Sequence, residues 1–547
     1  MLDTVIIGGG LCGLALARNL HRQGRSVALF EARQRLGGRI LSASGAGMVM
    51  DLGPTWFWPA TQPLMTGLID ELKLASLEQY DDGAMLHLRD PDKKPERVEG
   101  KRVHEGARRL AGGMAAMIDA LAAELPASLI HFEHILTRLR DRGDHIVLEF
   151  VAGDDVVEYA TRHVALAIPP RLLEQNVRFE PDLEEPVREA MRGAETWMAS
   201  QAKVMVGYDR PCWRDAGQSG SAFVTHEQAV IGEIFDACND AGSQAALGGF
   251  VALSPELRVS FSIGLPILIA NQMEQVFGPA LGEGEQHVQD WATEPFTCSA
   301  LDITSFSVEH ADMANPMLRR AQWGGKLHMG GSETAAHGAG YMEGALDAAR
   351  RIERELNRSL AAMSAVQAAA GRPAPTVDAV LSLNATSLAR FAAWVAGQGD
   401  VVFDGYRQRL NRSLAMQQTD QLTQRAILEA IEDAFDRALD ALEELDFDMS
   451  AATVERGRSS LMPELQAPFR EFLKSALDDV IAFNRTSCAL SNFPDEHRLS
   501  KDYERVILRD IAAAWQEFLL SANRLLLAKA GAPSRAARGR GLTNLRP

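Results

Sequence analysis

The chain has 547 residues, a formal charge of -17 at pH 7, 46% hydrophobic residues and 24% charged residues. That length exceeds what one hydrophobic core holds and predicts two or three domains, and the balance of apolar and charged residues excludes a disordered chain. The acidic surplus opposes adhesion to nucleic acid or to an anionic membrane, so neither is expected as a partner.

The apolar run 4–7 leads into Gly8-Gly9-Gly10-Leu11-Cys12-Gly13, then an alanine- and leucine-rich helical stretch ending near Gly24, then the apolar run 27–30 that stops at Glu31. The order is strand, glycine turn, helix, strand, acid. Gly8 permits the tight turn off the strand, Gly10 lets a pyrophosphate approach the backbone, and Gly13 lets helix and strand pack closely. The helix N-terminus offers N–H groups and a partial positive charge to phosphates. Glu31, about twenty residues beyond the glycines, is placed to accept hydrogen bonds from a ribose diol. The flanking strand, helix and acid separate this fingerprint from a glycine-rich turn that binds nothing.

The first strand begins close to Met1, with no basic and apolar leader before it. No stretch approaches the ~18 uninterrupted apolar residues of a membrane span, and residues 535–547 are polar and basic. A cytoplasmic protein is expected. Cys12, Cys212, Cys238, Cys298 and Cys488 are scattered without C-x-x-C spacing, and the histidines lack H-E-x-x-H spacing. Neither a disulfide framework nor a metal site is expected.

Gly37-Gly38-Arg39 and then Asp51-Leu52-Gly53 follow the fingerprint. With these turns the chain resembles the two-dinucleotide-fold flavoproteins. The resemblance implies FAD, with Arg39 beside the pyrophosphate, where a guanidinium fork suits phosphate oxygens. Pro54-Thr55-Trp56-Phe57-Trp58-Pro59 is an aromatic cluster that either lines a substrate pocket or closes a core. A helical pattern follows over 64–72. Residues 80–102 are polar and turn-rich, and Gly112-Gly113-Met114 opens an alanine-rich helix to residue 125. Run 131–139 is expected as a strand, and the resemblance puts its Ile135 near the adenine. Runs 146–150 and 156–160 read as a hairpin, and 163–168 as a buried strand ending at Pro169-Pro170. There the resemblance marks a crossing into a substrate domain.

Residues 203–208 read as a strand, followed by Pro211-Cys212-Trp213-Arg214. A buried lysine is costly unless hydrated or paired, so Lys203 is either functional or on the exposed face of an edge strand. Two helical patterns lie within 251–278. Trp291-Ala292-Thr293-Glu294-Pro295-Phe296-Thr297 precedes the second signature, Gly330-Gly331-Ser332-Glu333-Thr334 with Gly340-Tyr341-Met342-Glu343-Gly344-Ala345. These blocks resemble the flavin-containing amine oxidases, of the monoamine and polyamine oxidase kind. By that resemblance Lys203 holds a water against flavin N5. Glu333, with Gly331 and Met342, contacts FAD, and Tyr341 stands over the substrate. Trp291 is expected either near the flavin or as a core tryptophan.

The departures from that family matter. The position matching the FAD-linking cysteine of monoamine oxidases is Ala300, with Cys298 two residues earlier, so noncovalent FAD is expected. Leu301 replaces an aromatic wall of the substrate cage, leaving Tyr341 without its usual partner unless Trp56 or Phe57 supplies one. Residues 54–58 lack the arginine by which L-amino acid oxidases pair a carboxylate, so a primary or secondary amine is the expected substrate, with O2 or another electron acceptor. The rivals are a desaturase or oxidase of the carotenoid and porphyrin branch, and a flavoprotein that has lost catalysis and serves as an interaction module.

Beyond Gly371-Arg372-Pro373-Ala374-Pro375, a plausible linker, apolar residues recur at helical spacing: Leu428, Ile431, Phe435, Leu439 and Leu442, then Phe469, Leu473, Ala476, Val480 and Phe483, then Ile507, Ile511, Trp515, Phe518, Ala522 and Leu525. The expected class is therefore α/β, with a two-dinucleotide-binding-type FAD domain (1–55, 105–168, 288–362), an interleaved α+β substrate domain (56–104, 169–287) and a C-terminal all-α bundle (376–530). The bundle packs on the oxidase, forms a homodimer, or docks a partner or large substrate.

Overall fold

Val5, Ile6 and Ile7, like the whole of Val27–Phe30, are buried apolar residues in sequence. Such unbroken runs form the inner strands of a sheet covered on both faces. Leu2–Ile7 pairs in parallel with Val27–Phe30 on one side and with Asp155–Leu166 on the other. The computed structural model describes residues 1–45, 47–239, 242–304, 315–336, 338–369, 377–415, 421–447, 454–455, 457–487, 490 and 493–529. Two compact units divide the chain, Met1–Leu356 and Asn357–Pro547.

The first sheet has eight strands, in the order Arg178–Glu180, Ile135–Asp141, Ile146–Ala152, Asp155–Leu166, Leu2–Ile7, Val27–Phe30 and Ile130–His131, with Leu327–Met329 also pairing Asp155–Leu166. The expected hairpin arm 156–160 and strand 163–168 are one twelve-residue strand. Thr161 is its joint, pairing with Ile146 in an antiparallel ladder and with Leu2 in a parallel one. The expected strand 131–139 is two strands, because Glu133 turns the chain with φ +58°.

Helices cover one face of this sheet. Leu14, Leu16 and Leu20 of Leu11–Arg22 pack with Met117, Ile118 and Leu121 of Ala115–Ala123 and with Leu346 and Ile352. The other face, Val5, Ile7 and Leu166, is covered by Leu173, Val177, Phe179, Val187 and Met191. Residues 169–193, assigned from sequence to the substrate domain, belong to the core of the first sheet. Pro170 starts the helix Pro170–Asn176, whose apolar residues return to that sheet.

A second sheet of seven strands runs Glu285–Asp290, Ala202–Tyr208, Ala245–Val251, Ile231–Asp236, Gln218–Val224, Ala84–Leu88 and Glu96–Val98. The last two lie in the polar stretch that sequence reads as turns. One face packs Val204, Leu247 and Ile234 against Ile269, Met273 and Val276 of helix Leu265–Phe277. The opposite face carries Met205 and Phe235, packed with Met48, Met50 and Leu52.

In the second unit, helices Val377–Ala396, Gly399–Ala415, Leu422–Glu444, Met462–Thr486 and Lys501–Lys529 enclose Phe391, Tyr406, Ile431, Phe435, Phe469 and Phe518. Glu496 accepts hydrogen bonds from the Leu422 and Thr423 amides at 2.8 and 2.9 Å, satisfying the start of the third helix. The expected linker at 371–375 lies outside the described residues. Among the described residues, no helix is long and apolar enough to cross a membrane.

Candidate active site

The glycine turn shows what each glycine is for. Gly8 has φ +104°, and a Cβ there would lie 2.4 Å from the Ala167 carbonyl oxygen. At Gly13 a Cβ would lie 2.0 Å from the Gly8 carbonyl oxygen, so helix Leu11–Arg22 approaches the strand end only because no side chain intervenes. Gly10 differs: the nearest atom to a Cβ there is the Gly37 carbonyl oxygen at 4.0 Å. Its bareness serves no packing within the protein and leaves open space at a helix N-terminus. Glu31, buried at the end of Val27–Phe30, accepts from the Gly9 amide at 2.7 Å and the Arg33 amide at 2.9 Å. Beside it the His134 amide donates to the Glu31 carbonyl at 3.0 Å, which brings half-exposed Ile135 to the same edge.

The second signature closes on the first. The Gly330 amide bonds the Leu166 carbonyl at 2.8 Å, and the Gly331 amide donates to the Cys12 sulfur at 3.2 Å. Burial pushes the Cys12 thiol up to about 11, so it stays a neutral acceptor. Arg39 forks onto Glu333 at 2.6 and 2.9 Å and reaches Ser332 Oγ at 3.0 Å. Burial works to raise the Glu333 carboxyl, but the Arg39 guanidinium prevails and holds it below the usual carboxylate range.

Sequence reasoning missed Trp197. Its carbonyl accepts from Arg39 at 3.1 Å and its amide donates to Glu333 at 3.3 Å. These bonds set its ring 5.8 Å from that of Tyr341, at 48°. Among the described residues, Trp197 supplies an aromatic ring against Tyr341, a place that sequence offered to Trp56 or Phe57. Phe57 is buried in the helical core of the first sheet, and Leu301 stands 38% exposed on the short helix Ala300–Thr304. Tyr341 itself is 39% exposed, immediately before helix Met342–Ala369. The Glu343 carboxylate in that helix accepts from the Leu64 and Met65 amides, both at 2.9 Å, and so caps helix Pro63–Glu71.

Two side chains hydrogen-bond the segment Leu52–Thr55, Lys203 from the second sheet and Trp291 from the turn that follows its strand Glu285–Asp290. Lys203, 2% exposed, donates to the Gly53 carbonyl at 2.7 Å and to Thr55 Oγ1. Trp291 Nε1 donates to the Leu52 carbonyl at 3.1 Å. Lys203 is on an inner strand, paired on both sides, which removes the exposed-edge alternative. Burial lowers its pKa from 10.5 to about 7, with Asp51 opposing the shift and Arg109 adding to it. Asp51 takes bonds from Ser42 Oγ at 2.5 Å and the Met114 amide at 2.8 Å, and burial raises its carboxyl. Trp56 donates to Gln79 at 2.8 Å, stacks on His104 at 4.3 Å and meets Phe235 edge-on at 4.5 Å.

Residues 11–107 and 92–352 match the flavin containing amine oxidoreductase family. The chain belongs to that family. It is an FAD-dependent amine oxidase. Among its relatives, putrescine oxidase of Kocuria rosea is 24% identical over 468 residues, covering 65% of this chain and 95% of the relative. Flavin-containing amine oxidase B of Sus scrofa is 22% identical over 461 residues, covering 65% of this chain and 86% of the relative. In fold the chain is similar to a solved putrescine oxidase bound to putrescine, with TM-score 0.53 and 20% identity over 66% of this chain and 99% of that one. It is likewise similar to cyclohexylamine oxidase from Brevibacterium oxydans, with TM-score 0.52 and 19% identity over 66% and 99%.

The oxidase's own geometry fits FAD. The open space at Gly10 meets the demand of a pyrophosphate, Glu31 retains lone pairs for a ribose diol, and Arg39 stands where the two signatures join. Ala300 offers no thiol, and Cys298 two residues away is buried with its thiol pushed up to about 11 by burial.

Proposed function

We propose that the enzyme oxidises a primary or secondary amine to an imine, with hydride leaving the substrate α-carbon for flavin N5 and dioxygen taking the electrons to give hydrogen peroxide. FAD, held noncovalently by Gly8, Gly10, Gly13, Glu31, Arg39, Ile135, Gly331, Glu333 and Met342, supplies the two-electron redox chemistry. The observation that carries the reading is Lys203, a lysine buried on an inner strand and aimed at the Gly53–Thr55 turn. Tyr341 and Trp197 present two aromatic faces, which favour an amine through their negative π-surfaces. Residues 54–58 hold no guanidinium, so an α-amino acid would find no carboxylate partner there.

Lys203 holds a water and a proton near the reacting centre. With a pKa near 7 its positive charge is present below about pH 7 and lost above it. A cation is useful where negative charge develops on dioxygen as it is reduced. Replacing Lys203 by Met should therefore slow reoxidation by O2 more than reduction by amine in stopped-flow. In the unmodified enzyme reoxidation should slow as pH rises through about 7, and the variant should lack that step. Equal slowing of both half-reactions would sink the role.

A further inference from the structure

Beside Thr55 lies a polar cavity of about 50 Å³. Asp51, Thr55 and Arg109 are buried members of its lining, and Asn239 and Gln244 are half-buried members, on the side from which solvent enters. Met205 forms part of its wall. Successive residues of a strand alternate between faces, so Met205 stands on the same sheet face as Lys203, two residues earlier on Ala202–Tyr208. Lys203 reaches the edge of the cavity through Thr55, whose Oγ1 accepts the bond from its ammonium.

Arg109 is the unusual member of that lining. It is 9% exposed, donates from Nη2 to the Cys238 carbonyl, and among the described residues its Nε has no hydrogen-bond partner. A buried donor left unpaired is costly, and the cavity has room for at least one water to take the bond. Asp51 and Arg109 are also the charged side chains that act on Lys203, from the strands Met48–Asp51 and Arg108–Leu110. The Asp51 carboxylate favours the ammonium and the Arg109 guanidinium opposes it. Beyond Arg109, Asp236 is paired with Arg214 at 2.8 Å.

We propose that water in this cavity returns protons from solvent to Lys203 through the Thr55 hydroxyl, with Arg109 as the positioning residue that holds the water and opposes the Lys203 charge. This rests on the role given to Lys203 above. Reducing dioxygen to hydrogen peroxide takes two electrons and two protons. Both electrons and one proton come from the reduced cofactor, and the second proton comes from the Lys203 ammonium, whose N–H bond breaks. The neutral amine left behind takes a proton from the Thr55 hydroxyl, the hydroxyl takes one from the water, and the water takes one from solvent. A hydroxyl serves in that chain because it both donates and accepts.

The test measures reoxidation of the FAD-loaded full chain by O2 across pH, in the unmodified enzyme, Arg109→Met and Arg109→Lys, with retained FAD and melting temperature reporting an intact fold. Removing the guanidinium charge lets Lys203 keep its proton to higher pH. Arg109→Met should therefore move the fall in reoxidation rate upward from about pH 7 by about one unit, and Arg109→Lys should hold it near the unmodified value. A crystal structure of the unmodified FAD-loaded chain should show ordered water bonded to Arg109 Nε in the cavity beside Thr55. A fall that stays in place in Arg109→Met, or a dry cavity, overturns the proposal while the role of Lys203 stands. If Arg109→Met does not fold, Arg109→Gln, which removes the same charge and keeps a donor, decides with the crystal structure. If the unmodified enzyme shows no fall, or Lys203→Met reoxidises as fast as it does, the reading of Lys203 fails and this inference falls with it.

Discussion

Gly10 and Gly13 are three residues apart in one turn and do opposite things. A methyl at Gly13 would collide with the Gly8 carbonyl, so Gly13→Ala should destabilise the FAD-free protein by about 1–3 kcal/mol, the usual cost of forcing an atom into a filled contact. A methyl at Gly10 meets only open space, and its φ of -77° is one alanine adopts freely. Gly10→Ala should leave the melting temperature of the FAD-free protein unchanged and weaken FAD binding, as read by flavin fluorescence titration. Equal destabilisation by both would contradict the assignment of Gly10 to the phosphate. Such glycines are legible in a sequence because a strand, a turn and a helix in succession demand them locally. Trp197 is not legible in that way. Its place beside Tyr341 comes from backbone bonds to Arg39 and Glu333, which are remote in sequence and meet only in the fold.

Among elements, the short helix Ala300–Thr304 shows how a minor piece of structure supports the site. Asp302 within it accepts from Arg171 at 2.8 Å, the Thr196 amide at 3.0 Å, and Ser299 through its amide at 2.9 Å and hydroxyl at 2.7 Å. It thereby tethers the residue before Trp197 to the residue after Leu301. Asp302→Ala leaves the buried Arg171 charge without this partner, which should cost about 3–5 kcal/mol in urea denaturation. A loss under 1 kcal/mol would show that Arg171 finds its pairing elsewhere. The inner strands were readable from continuous apolar runs, and the later C-terminal helices from residues three and four apart. Ala84–Leu88 and Glu96–Val98 were not, because they sit in a charged, turn-rich stretch and the second lies at the sheet edge. Helices Val377–Ala396 and Gly399–Ala415 lie within the expected bundle, but their individual period is not readable, since their buried positions, among them Phe391, Val395, Val402 and Tyr406, are set among alanines and polar residues that blur it.

At the scale of the whole molecule, the oxidase chemistry belongs to Met1–Leu356. Both dinucleotide signatures, the lysine-bearing sheet and the aromatic pair all lie within it, and the family match ends at residue 352. Asn357–Pro547 is a helical unit with its own core of Phe391, Phe435, Phe469 and Phe518 and its own buried polar network, in which Asn484 joins Tyr406, Thr423 and Glu496. Its amphipathic helices report burial and carry no signature of chemistry. Amine oxidation therefore rests on the first unit. The deciding measurement is the visible spectrum of the purified full chain, taken without oxygen before and after adding monoamines, diamines, cyclic amines and amino acids in turn, and then again on admitting air. The account predicts flavin bands that amines bleach and amino acids do not, with colour returning in air as peroxide appears. A fully flavin-loaded protein that no amine bleaches would contradict it.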